Sequence, residues 1–169
     1  MVWKYGEFEG SERRIEVEVY VDSDWAGSSD RKSTSGGLVV IGGAAIKHWS
    51  RTQRTRALSS GEAEYYAVVT GSVEWLGVQS LAKDLGWEMG VKVKVKTDST
   101  AAKAVATRRG LGKLRHIELK FLWVQEAVAK GRISIKKVSG VWNPADVLTK
   151  PKGLDDFKRL LGIVGGQYV

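Results

Sequence analysis

Cysteine is absent from the 169 residues, which removes disulfides, thiolate metal sites and cysteine nucleophiles. Histidine is scarce: His48 and His116 are the only two, too few for a three-histidine zinc site. Proline occurs twice, at Pro144 and Pro151, and no low-complexity linker or internal repeat is visible. No apolar run approaches the length that spans a bilayer. Met1–Gly10 holds no hydrophobic stretch of the kind that opens a signal peptide, so an intracellular location without membrane is expected. Oxygen-ligand metals, carboxylate chemistry or no chemistry at all are what these absences leave.

What is present is ordinary for one soluble domain, with 43% apolar and 27% charged residues. The charge is less ordinary. A net +8 is unevenly spread: residues 1–30 hold eight acids and three bases, and all the excess of bases lies beyond them. A basic excess of this kind suits a polyanion, most simply nucleic acid, although solvated lysines give the same arithmetic.

Residues Arg14–Asp22 alternate apolar and polar with the period of two that marks a half-buried strand. A turn-rich stretch comes next, then Leu38–Ile41 as a second strand, Gly42-Gly43 as a hairpin, and Ala44–Ser50 as a third. Ser59-Ser60 with Glu62 signals a helix start, and Ala63, Ala67, Thr70, Gly77 and Leu81 give it a small-residue face for close packing on a sheet. Val91–Thr97 reads as a fourth strand, Ser99–Arg108 as a short helix, and Leu114, Ile117, Phe121, Val124 and Val128 as the stripe of another. Arg132–Val138 is a fifth strand, and Asn143-Pro144 opens a final helix. The order β-β-β-α-β-α-α-β-α implies an α/β domain with a mixed five-stranded sheet flanked by helices. It is expected to occupy residues 13–151, between a leader at 1–12 and a tail at 152–169, with residues 1–12 and the Gly-Gly near the end loose.

Four acids hold special places in that layout. Asp22 ends the first strand, Asp98 comes directly after the fourth, and Glu64 and Asp146 stand in the first turns of the long and final helices. Ligand sites of α/β sheets gather at strand C-ends and helix N-ends. If strands one and four are neighbours, Asp22 and Asp98 lie side by side, which is costly unless a cation lies between them. Carboxylates without cysteine or histidine are donors for Mg²⁺ or Mn²⁺. Taken singly, Asp98 and Asp146 could be helix caps and Glu64 a solvated helix residue. Asp24 competes with Asp22 but falls in the turn; Glu62 competes with Glu64 but suits a capping box.

The segments YVDSDWAG, DRKSTSGG, ALSSGEAEYYAV, KTDSTAA, LRHIEL and NPADVLTKP succeed one another as in the ribonuclease H domain of copia-type retrotransposon polyproteins, which the chain resembles from Val19 to Pro151. The resemblance implies a ribonuclease H-like fold and hydrolysis of the RNA strand of RNA/DNA hybrids, with a reverse transcriptase in the same polyprotein as partner. It places the catalytic, metal-ligating carboxylates at Asp22, Glu64, Asp98 and Asp146. Two Mg²⁺ or Mn²⁺ ions are implied, Asp22 bridging them, Asp98 and Glu64 completing one, and Asp146 on the water side, with 5′-phosphate and 3′-hydroxyl products. The chain departs from many ribonucleases H in two places. No histidine stands in VSGVWNPAD, the stretch that leads to Asp146, and Thr100 stands where a longer amide side chain is common.

Nucleic-acid contacts are expected from Lys103, Arg108, Arg109, Lys113, Arg115 and Lys120, and from Lys47, Arg51, Arg54 and Arg56, each set having a solvated-face alternative. Ser33, Thr34, Ser35 and Thr100 could meet phosphate or 2′-hydroxyls, or the serines could hold turns. His116 and Trp123 could touch the hybrid or pack against a neighbouring helix, and Trp25 is the tryptophan nearest the acids. A silent hybrid-binding module and a DNA-directed metal nuclease are the competing functions.

Overall fold

Val17, Val19 and Val21 alternate with Glu18, Tyr20 and Asp22, and that period makes the strand at the centre of the sheet. The structure, a computed structural model, describes residues 2–3, 17–87, 93–110, 112 and 121–167. Its strands are β1 (Val2–Trp3), β2 (Val17–Asp24), β3 (Thr34–Ile41), β4 (Ala44–Thr52), β5 (Val93–Thr97), β6 (Ile133–Lys137) and β7 (Gly166–Gln167). The helices are α1 (Ser60–Asp84), α2 (Thr100–Thr107), α3 (Trp123–Ala129) and α4 (Leu154–Ile163), with 3₁₀ turns at Gly140–Trp142 and Pro144–Leu148. Five strands lie in the order β4-β3-β2-β5-β6, antiparallel from β4 to β2 and parallel from β2 to β6. This is the mixed sheet that the sequence implies.

The sheet buries two different faces. Val17, Val19 and Val21 join Val39, Val93 and Val95 beneath α1, in one cluster with Tyr65, Ala67 and Val68. On the other face Tyr20, Leu38 and Val40 are covered by Ala145, Leu148, Ile163 and Val164. Gly71 lets α1 come down onto β2, because a Cβ there would collide with Val21 Cγ1.

Four expectations need correction. The packed face of α1 keeps Ala63 and Ala67 but continues through Gly71, Trp75 and Ala82, leaving Gly77 and Leu81 exposed. Tyr65, Tyr66, Val68 and Val69 are buried as well, so the helix has no single apolar stripe to be read. Asn143-Pro144 opens a five-residue 3₁₀ turn, not a helix, since Pro151 cannot continue one. The Gly-Gly near the end is not loose, for Gly166 lies in β7 opposite Trp3. Helix α4 buries Leu160 and Leu161, and β7 pairs antiparallel with β1. Strands β2 and β3 run further than expected, β2 to Asp24 and β3 back to Thr34, because the two pair in register along that whole length. Leu114 and Ile117 of the expected middle stripe lie outside the described residues, whereas Val124 is fully buried on α3.

Candidate metal centre

The register of β2 with β5, Tyr20 opposite Lys96, carries Asp22 level with Asp98 when continued by two residues. Asp22 is 0% exposed. Glu64 is brought to them by the start of α1, where the Ser59 hydroxyl accepts from Glu62 N at 3.2 Å. Glu62 has the capping role: its carboxylate accepts from Leu58 N at 3.1 Å and from the Tyr66 hydroxyl at 2.6 Å. That leaves Glu64 two residues further along the helix, accepting from Ser23 N at 3.3 Å. One carboxylate oxygen each from Asp22, Glu64 and Asp98 lies within 4.8 Å of the other two.

Two oxygens of this cluster, Asp22 Oδ1 and Glu64 Oε2, are buried without a hydrogen-bond partner. Buried polar atoms are seldom left so. Burial, then the charges of Asp22 and Asp98, pushes the Glu64 carboxyl up to about 8. Burial also raises Asp22, against the Thr149 hydroxyl and the Lys150 charge, which lower it. Clustered carboxylates that resist ionisation and lack donors fit a hard divalent cation with oxygen ligands. Asp24 is not in the cluster. It continues β2, and its carboxylate lies against the backbone of Gly27.

Asp146 sits on the other side of Asp22 and is reached differently. The Asn143 side chain donates to Val21 O at 2.9 Å and accepts from Ala145 N at 3.2 Å, which pins the 3₁₀ turn to the end of β2. Gly36, paired with Asp22, makes room for Leu148 and Thr149 at the end of that turn. A Cβ on Gly36 would be 2.7 Å from Thr149 Cγ2 and 2.8 Å from Leu148 Cβ. Through that gap the Thr149 hydroxyl donates to Asp22 Oδ2. Lys150 Nζ lies 3.3 Å from Asp22 Oδ2 and 2.9 Å from Asp146 Oδ1, and Lys152 pairs with Asp146 Oδ2. Burial raises the Asp146 carboxyl, but Lys152 and Lys150 outweigh it and hold it low. Asp146 is therefore joined to Asp22 through an ammonium and is not among the three clustered acids. Sequence reasoning missed Thr149 and Lys150; the four-residue spacing of Asp146 and Lys150 was the available signal.

The expected nucleic-acid contacts are placed unequally. Ser33 is buried and its hydroxyl accepts from Ala26 N at 3.1 Å, while Ser35 is buried and accepts from Gln53 Nε2 at 2.8 Å. Ser33 fits the turn-holding alternative, whereas Ser35 lies in β3 and ties it to Gln53 beyond β4. Thr34 is half-buried between Asp24 and Thr52. Lys47 and Arg51 both pair with Glu74 at 2.6 Å. Arg54 and Arg56 are exposed in the loop after β4, and Arg109 is exposed after α2, next to the half-buried Arg108. Thr100 Oγ1 accepts from Lys137 Nζ at 2.6 Å. Trp25 is 52% exposed, with its Nε1 donating to Ala57 O, and Trp123 packs on the core. Lys113, Arg115, His116 and Lys120 lie outside the described residues.

No family model matches the chain. It is 31% identical over 147 residues to the retrovirus-related Pol polyprotein from transposon TNT 1-94 of Nicotiana tabacum, covering 86% of this chain and 11% of the polyprotein. The chain thus spans about a tenth of the length of the retrovirus-related Pol polyproteins it matches. The solved ribonuclease H domain of prototype foamy virus superposes with a TM-score of 0.53 at 16% identity, covering 83% of this chain and 93% of that one. LC11-RNase H1, solved in complex with an RNA/DNA hybrid, gives 0.50 at 15% identity, covering 79% and 93%. Likenesses at such identity speak for the fold, and the polyprotein match speaks for descent. The chain is a ribonuclease H-like domain that matches copia-type retrotransposon Pol polyproteins over most of its length.

Proposed function

We propose that the domain hydrolyses the RNA strand of RNA/DNA hybrids, leaving 5′-phosphate and 3′-hydroxyl ends, as one step of retroelement reverse transcription. The observation that carries this reading is the trio Asp22, Glu64 and Asp98, whose ligand atoms lie within 4.8 Å of one another on a ribonuclease H-like fold. Asp22, Glu64 and Asp98 would hold one Mg²⁺ or Mn²⁺, and Asp22 with Asp146 a second. Ions so held supply an acidified water and stabilise the leaving oxygen.

The chain's own groups do the rest. The backbone N–H of Ser23 fixes Glu64, the Thr149 hydroxyl fixes one oxygen of Asp22, and Asn143 fixes the turn that carries Asp146. The depth of Asp22 keeps bulk water from competing for it. No histidine stands in VSGVWNPAD, so no imidazole there moves a proton. Arg54, Arg56, Arg108, Arg109 and Thr34, with Lys113, Arg115 and Lys120, are the proposed substrate contacts; Arg51, Ser33 and Thr100 make side-chain bonds within the protein that a substrate would have to share or displace. The hybrid bound to LC11-RNase H1 supports the choice of substrate. We assign the catalytic unit to residues 13–151 with α4 packed upon it, acting beside a reverse transcriptase of the same polyprotein.

The test is digestion of an end-labelled RNA/DNA hybrid beside duplex RNA and duplex DNA, with Mg²⁺ or Mn²⁺ and with chelator. Metal-dependent cutting confined to the hybrid's RNA strand is the expected result. Tight binding of the hybrid without cutting would make the domain a silent binding module. Cutting of duplex DNA would make it a different nuclease.

A further inference from the structure

The three-acid cluster and Asp146 flank the same residue, yet they are provided for differently. On the cluster side, Asp22 Oδ1 has no hydrogen-bond partner. On the Asp146 side, Oδ2 of the same carboxylate meets the Thr149 hydroxyl and Lys150 Nζ, and that ammonium is 2.9 Å from Asp146 Oδ1. A positive charge bridging two carboxylates there does electrostatically what a divalent ion would do. The Lys150 side chain is 45% exposed, so the group enters from solvent and can leave by the same route, whereas Asp22 is fixed and buried.

We propose that Lys150 is a built-in occupant of the cation position between Asp22 and Asp146, and so sets the order in which the centre loads. Asp22, Glu64 and Asp98 take the first divalent ion without disturbing it. A second ion must displace the Lys150 ammonium, and substrate phosphate is the natural acceptor for that ammonium once it swings out. Lys150 is in this sense a positioning residue: it keeps Asp22 and Asp146 apart in charge but together in space. The inference rests on the reading of the carboxylates as metal ligands.

Mn²⁺ binding to the substrate-free protein, measured by calorimetry and by electron paramagnetic resonance of the free ion, reads this directly. The parent should bind one ion well and a second far more weakly. Lys150→Gln should bind the second at least tenfold more tightly with the first unchanged within about threefold, and Lys150→Arg should behave as the parent does. In metal-free buffer Lys150→Gln should melt lower than the parent, and saturating Mn²⁺ should close that gap. A second-ion affinity that Lys150→Gln leaves within twofold of the parent would overturn the proposal, as would a parent that binds two ions equally well. Should Lys150→Gln not fold, two equal ions in Lys150→Arg overturn it in the same way. Failure of parent and variants to bind any Mn²⁺ would instead sink the metal reading itself and this inference along with it.

Discussion

A carboxyl buried beside two others gives up its proton late, and Glu64 is the case in point. Its value in the folded chain, about 8, stands above the ordinary 4.5. Folding favours the protonated form, so this contribution to stability is complete below pH 4.5 and is lost as pH rises through about 8. In metal-free buffer the parent's thermal midpoint should therefore fall between pH 5 and pH 9, and Glu64→Gln, which cannot ionise, should fall less. Adding Mg²⁺ at pH 9 should raise the parent and not the variant. Parallel melting curves for the two proteins across that range would refute the electrostatic account. For activity, Asp98→Asn should lose at least about a hundredfold in cleavage, since metal ligands supply several kcal/mol of transition-state stabilisation. Asp24→Asn should keep most of it, because that carboxylate turns away to Gly27. Circular dichroism of both variants checks that the fold is intact. The acids were legible because strand ends and helix starts are places that patterning marks. Thr149 was not, for it reaches Asp22 through the clearance that Gly36 gives on a strand more than a hundred residues away, and the i,i+4 spacing of Asp146 and Lys150 signalled that pair but not the approach of Lys150 to Asp22.

Among the elements, the strands were the easiest to read and α1 the hardest to orient. Alternation in β2 survives because each face of the sheet has a different cover, α1 below and the 3₁₀ turn with α4 above. Helix α1 is buried on several sides, so periodicity pointed to Gly77 where the structure uses Gly71. The two glycines give a paired test by urea unfolding. Gly71→Ala should destabilise by about 1–3 kcal/mol, the usual cost of overpacking a core. Gly77→Ala meets nothing within 4 Å and should be neutral or stabilise by up to about 1 kcal/mol through helix propensity. A reversed order would mean that α1 is rotated about its axis relative to the sheet. The misread final helix has a local cause as well, since Asn143-Pro144 is a good helix opening and Pro151, a few residues on, lacks the N–H that would continue it.

Over the whole molecule, charge was legible in amount and not in use. Lys47 and Arg51 are spent on Glu74, a pairing across 23 residues or more that no local pattern signals. Hybrid binding should weaken steeply with salt, and replacing Arg108, Arg109 and Lys113 by Ala should reduce the log–log slope by up to about three units. Lys47→Ala with Arg51→Ala should leave the slope nearly as it was. Filter binding across a salt series measures both, and an unchanged slope for the triple variant returns its cluster to solvated surface.

The acids at 22, 64, 98 and 146 are contributed by four stretches of chain that meet only in the finished sheet. Asp98 and Asp146 come after β2 and α1 in the chain, so both are synthesised later than Asp22 and Glu64. No fragment released early, and no intermediate lacking β5 between β2 and β6, can assemble the trio. Capture of a divalent ion by these acids would thus report completion of the fold. By mass action the ion favours the finished chain over every partial one, and adds RT ln(1 + [ion]/Kd) to its stability. A carboxylate centre assembled in this way stays incomplete until the sheet is closed.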